Sequence, residues 1–173
     1  QADMALITRD QYPQATAAGM EIVSCTRCGV GQVFYFYNWD DEFPDGTRGS
    51  EGPYTNPLLD IRVREAIIHA IDEEGLMVAM IGERGNPQYM HSAQPGTPGF
   101  QQRFIDEWDE KYGYNPAKSK ELLAAAGYGD GEVEITLIAT PHTNPENVLA
   151  SEIIAPMLNE VGIATNIVAR ERS

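Results

Sequence analysis

Apolar and polar side chains alternate along residues 132–139, EVEITLIA, and a period of two predicts a β-strand. The run IATNIVA, residues 163–169, reads as a second strand. Between them, Asn144 and Pro145 open a helix that runs to about Val161 and stops at Gly162. Strand, helix, strand is a crossover unit, so the two strands are expected to be parallel with a right-handed connection. Pro156 falls inside the helix, where it should remove one backbone hydrogen bond and kink the chain near Ala155.

Upstream the apolar period lengthens. Leu59, Val63, Ala66, Ile67, Ala70 and Ile71 form one stripe and predict a helix over about 58–71. Asp60 and Arg64 stand four apart, as do Glu65 and His69. Solvated pairs of that kind contribute only ~0.2–0.5 kcal/mol each. These charges therefore read as the wet side of a packing helix rather than as a catalytic cluster. Asp72 is placed to cap a second helix, 73–81, that stops near Gly82. The stretch NPAKSKELLAAAGY predicts another, with Asn115 as its cap and Pro116 in the first helical position. Gly127 is its left-handed stop, and Tyr128 should fold back on Leu123.

The remaining elements are less regular. Residues 10–18 read as an Ala-rich helix and 100–111 as an amphipathic acidic one. Residues 3–7, 20–24 and 31–39 read as strands, with a turn, CTRCGV, between the last two. Residues 40–57 and 82–99 are loops rich in glycine and proline.

Composition narrows the function. The chain has 173 residues, enough for one domain with a real core, and is 42% hydrophobic and 22% charged. Its net charge is −14, which argues against nucleic acid and anionic membrane surfaces as partners, because phosphates need a basic face. No apolar run approaches the ~18 residues that would span a bilayer. The first residues, QADMALITRD, do not read as a signal peptide, and the chain opens without Met; it is expected to be a processed or excised piece.

Candidate chemistry is sparse. Cys25 and Cys28 form a CxxC with three readings: a local disulfide or two spare thiols at a hairpin, a redox pair, or half of a zinc site. Redox pairs usually stand at a helix N-terminus, and this one lies between two expected strands. No second Cys pair exists, and His69, His91 and His142 lack metal spacing relative to it. Asp40, Asp41, Glu42 and Asp45 do not follow the calcium-loop spacing and read as a solvated turn. The glycine clusters at 29–31 and 127–131 lack the strand–turn–helix setting of a phosphate loop. No HExxH, GxSxG or Walker A pattern is present, and no cofactor motif appears.

Ligands of α/β proteins bind beyond the carboxyl ends of strands, often against a helix N-terminus. The loop TPHTN, residues 140–144, has that setting, which makes His142 and Asn144 candidate contacts. The competing reading has Asn144 only capping the helix and His142 idle on the surface. On the expected strand 31–39, Phe34, Phe36 and Asn38 share one face, and Val33, Tyr35, Tyr37 and Trp39 the other.

Three stretches carry a family resemblance. The run NPLLDIRVREAIIHAIDEEGLMVAMIGERGNP resembles the helix-pair signature of extracytoplasmic solute-binding proteins of the peptide/nickel type, bacterial extracellular solute-binding protein family 5. YNPAKSKELLAAAGY and MLNEVGIATNIV resemble a helix and a strand entry of the same family, in the same order, so that the likeness extends over residues 31–170. The chain departs at Leu58–Leu59, where the family has Pro-Phe, and at Asn115, where it has Asp.

The resemblance implies an α/β fold: a mixed sheet with flanking helices and a C-terminal βαβ unit, forming one lobe of a two-lobed periplasmic-binding-protein-like architecture. The expected divisions within a single lobe, 1–173, are strands and a short helix over 1–39, a helical segment over 57–126 and the βαβ unit over 132–170. It implies a non-enzymatic, periplasmic protein that captures a peptide or other small solute between lobes and hands it to the permease subunits of an ATP-driven importer. By family position, Phe34, Phe36 and Asn38 would face the cleft, as would the loop with His142 and Asn144; a plain core role for either strand face is the alternative. Some peptide-binding members carry an acid where Phe36 stands, and its absence weighs against a free peptide amino group as ligand. An oxidising compartment would also permit a disulfide between Cys25 and Cys28. The rival function is a thiol-redox or metal-dependent enzyme domain built on that pair.

Overall fold

A computed structural model describes residues 4, 5, 7, 9–23, 56–82, 98–139 and 146–169. In chain order the elements are α1 (Tyr12–Ala17), α2 (Ile61–Ala70), α3 (Glu73–Ile81), α4 (Arg103–Asp106), α5 (Trp108–Tyr112), α6 (Pro116–Ala126), β1 (Val133–Ala139), α7 (Glu146–Glu160) and β2 (Ile163–Ala169). Short 3-10 turns, Arg9–Gln11 and Pro57–Leu59, precede α1 and α2.

The crossover unit forms as the alternation predicts. β1 and β2 pair in parallel, in register from Val133 beside Ile163 to Ala139 beside Ala169. Val133, Ile135, Leu137 and Ala139 are buried, while Glu134, Thr136 and Ile138 face outward. α7 packs against both strands and also touches α2 and α3. Ile154, Leu158 and Ile163 are almost wholly enclosed there. Each such side chain contributes roughly 1.5–3 kcal/mol by leaving water. α7 continues through Pro156, whose ring lies on the exposed side, so the carbonyl it deprives of a partner can turn to solvent.

Among the described residues, α2 and α6 make the most extensive helix–helix contact. Val63, Ala66, Ile67 and Ala70 of α2 are buried together with Leu123 of α6. At the contact, Ser119 is fully enclosed, and its hydroxyl donates to the Ala66 carbonyl at 2.7 Å. Small side chains let the two backbones approach, and the hydroxyl is satisfied by that approach. The end of α6 is the Schellman arrangement expected from sequence: Gly127 is left-handed at φ 91°, and the Tyr128 amide donates to the Leu123 carbonyl at 3.0 Å.

Several expectations need correction. α2 begins at Ile61 rather than near Leu58, because Asp60 is extended and caps it, accepting from the Arg62 amide at 2.8 Å. Leu59 consequently leaves the buried stripe and is 57% exposed. Asp60 pairs with Arg62 at 2.6 Å rather than with Arg64. A residue outside the helix cannot use helical spacing to meet Arg64, whose guanidinium instead donates to the Leu58 and Leu59 carbonyls. His69 is not on the wet side: it is buried, with Nδ1 2.8 Å from the Gly113 carbonyl. The helix expected over 100–111 is broken at Glu107 into α4 and α5. Residues 4, 5, 7 and 20–23 form no strand, and among the described residues no strand lies beside them to supply a ladder. The strand expected over 31–39 lies outside the described residues, as do the loops 40–55 and 83–97.

Candidate functional site

The parallel ladder ends flush, with Ala139 beside Ala169 at its carboxyl edge. The chain leaves β1 at that edge and returns as α7 from Glu146, so the intervening residues 140–145 link the sheet edge to a helix N-terminus. Each strand ends in a methyl group, which leaves the backbone edge unobstructed by the strands' own side chains. The first turn of α7 adds Asn147 and Val148, half-buried, and the exposed Leu149. On the inward row of β2, Ile163 is enclosed and Ile167 is 36% exposed, whereas on β1 burial holds to the last residue, Ala139.

Side-chain hydrogen bonds stand at both ends of α7. Near its start, Ala150 and Ser151 are enclosed, and the Ser151 hydroxyl donates to the Asn147 carbonyl at 2.9 Å. Near its end, the Asn159 amide oxygen accepts from both the amide and the hydroxyl of Thr165, each at 3.0 Å. Where the two strands begin, the Gly131 amide donates to the Gly162 carbonyl at 2.9 Å. The Glu132 carboxylate accepts from the Gly129 amide at 2.6 Å. The Asn159 bonds to Thr165 tie α7 to β2 at the end opposite the linking loop.

Among the described residues the perturbed titrations lie at the start of α2 and of α3. Asp60 is lowered to about 2, chiefly by the Arg62 side chain and then by the Arg62 amide. The same pairing raises Arg62, whose guanidinium also donates to the Ala125 carbonyl and so joins the start of α2 to the end of α6. Glu73 is raised, first by burial and also by the nearby Asp109 charge, against a hydrogen bond from Trp108. Among the described residues no group of three or more His, Cys, Asp or Glu lies close enough to hold a metal ion. No helix among them is long and apolar enough to cross a membrane.

Phe34, Phe36, Asn38, His142 and Asn144, and the pair Cys25 and Cys28, all lie outside the described residues. For His142 and Asn144 the described elements supply the flanks: β1 before them and α7 after them.

The whole chain, residues 1–173, matches the family described as bacterial extracellular solute-binding proteins, family 5 middle. It is 33% identical over 112 residues to a probable peptide ABC transporter periplasmic-binding protein of Sinorhizobium fredii, an alignment covering 62% of this chain and 19% of that protein. It is 34% identical over 119 residues to di/tripeptide-binding protein 1 of Pseudomonas aeruginosa, covering 66% and 21% respectively. Among solved structures, the oligopeptide binding protein of Thermus thermophilus in complex with a pentapeptide superposes with a TM-score of 0.57 at 26% identity, over 68% of this chain and 21% of that one. The chain thus spans about a fifth of the length of the relatives it matches. Its α/β arrangement, with a parallel strand pair bridged by a helix, is that of periplasmic binding proteins. On the match along its entire length, the chain belongs to the bacterial extracellular solute-binding proteins, family 5.

Proposed function

We propose that this chain forms part of one lobe of a periplasmic solute-binding protein. The whole protein captures a peptide or other small solute in a cleft between two lobes and delivers it to the permease subunits of an ATP-driven importer. The observation that carries the reading is the family match over residues 1–173, joined to relatives named as peptide-binding and as ABC-transporter periplasmic-binding proteins.

The described geometry supports a place for the solute. β1 and β2 end together at Ala139 and Ala169, and the chain passes from that carboxyl edge into the N-terminus of α7. Free amides at a helix start favour carboxylates and other anions. His142 and Asn144 are the proposed polar contacts of this loop, and Phe34, Phe36 and Asn38 are the proposed wall contributed by the segment before α2. The protein binds and releases without chemistry. The rival enzyme built on Cys25 and Cys28 finds no support in relatives that are binding proteins. A periplasmic setting would hold the two thiols as a structural disulfide.

A micromolar solute requires about 8 kcal/mol of net binding free energy. Native mass spectrometry of the protein, purified without denaturation, tests the reading directly. The expected result is a small molecule that leaves on partial unfolding and rebinds in calorimetry. Turnover of any substrate that disappears on replacing Cys25 or Cys28 would overturn it.

A further inference from the structure

We draw no further inference here: the strongest candidate, the outward face of the β1–β2 pair where Ile138, 51% exposed, stands beside Val168, is an apolar surface for which nothing in the structure shows what covers it.

Discussion

His69 Nδ1 donates to the carbonyl of Gly113 across 2.8 Å, joining α2 to a turn 44 residues further along the chain. A carbonyl can only accept, so Nδ1 carries the proton. The His69 carbonyl in turn accepts from the Asn115 amide at 2.8 Å, and Asn115 caps α6 through the Lys118 amide at 3.0 Å. One residue therefore fixes the α5–α6 turn through both its ring and its backbone. Replacing His69 with Ala leaves the Gly113 carbonyl without its donor and opens space in the core. The expected loss is about 1–3 kcal/mol, read from the midpoint of urea unfolding. A ring nitrogen NMR pattern showing the proton on Nε2 alone would contradict the assignment.

The Ser119 contact with Ala66 should separate hydrogen bonding from packing. Ser119→Ala removes the hydroxyl that donates at 2.7 Å but keeps the close helix approach, and should cost about 1 kcal/mol. Ser119→Leu should cost more, roughly 1–3 kcal/mol, because a bulky side chain forces α2 and α6 apart. Equal midpoints for the two variants would show that the helices do not touch there.

Gly162 carries two constraints at once. Its φ is 94°, and an added Cβ would sit 2.8 Å from the Asp130 carboxylate. Gly162→Ala should lose about 1–2 kcal/mol from the left-handed backbone alone. Combining it with Asp130→Ala should relieve the collision but not the backbone cost, so the double variant recovers only part of the loss in thermal unfolding. Full recovery would place the whole effect in the contact.

Acid stability should respond with opposite signs at Asp60 and Glu73. The folded state holds Asp60 ionised down to about 2, below its ordinary 3.8, so its contribution is complete above 3.8 and is lost as pH falls through 2. Glu73 is raised, so its favourable contribution is complete below its ordinary 4.5 and is lost as pH rises through its folded value. Asp60→Asn keeps a capping side chain and should flatten the decline between pH 4 and 2, whereas Glu73→Gln should flatten a decline above pH 4.5. Denaturation midpoints measured across pH 2–7 check both slopes.

On the proposed function, Asn144→Ala and His142→Ala should each weaken solute binding on the order of tenfold, equivalent to about 1.4 kcal/mol, with the unfolding midpoint unchanged for His142→Ala. Calorimetry with the co-purified solute reads the affinity. An Asn144→Ala variant that loses stability but not affinity would reduce that residue to a helix cap.

What the sequence by itself determined is local. The strand alternation at 133–139, the Asn115 cap and the Gly127–Tyr128 stop each depend on residues within one turn or one strand, and each forms as read. The family was legible for the same reason, since its signature stretches are contiguous. Tertiary structure decided the fate of His69 in α2, while Asp60 was settled by its immediate neighbours. Asp60 left the helix to cap it and took Arg62 as partner, while His69, on the flank of the apolar stripe, was drawn inside by a carbonyl from a distant turn. Spacing tells which side chains share a face, but a buried polar group goes where its hydrogen bond can be made, and for His69 that partner lies 44 residues along the chain.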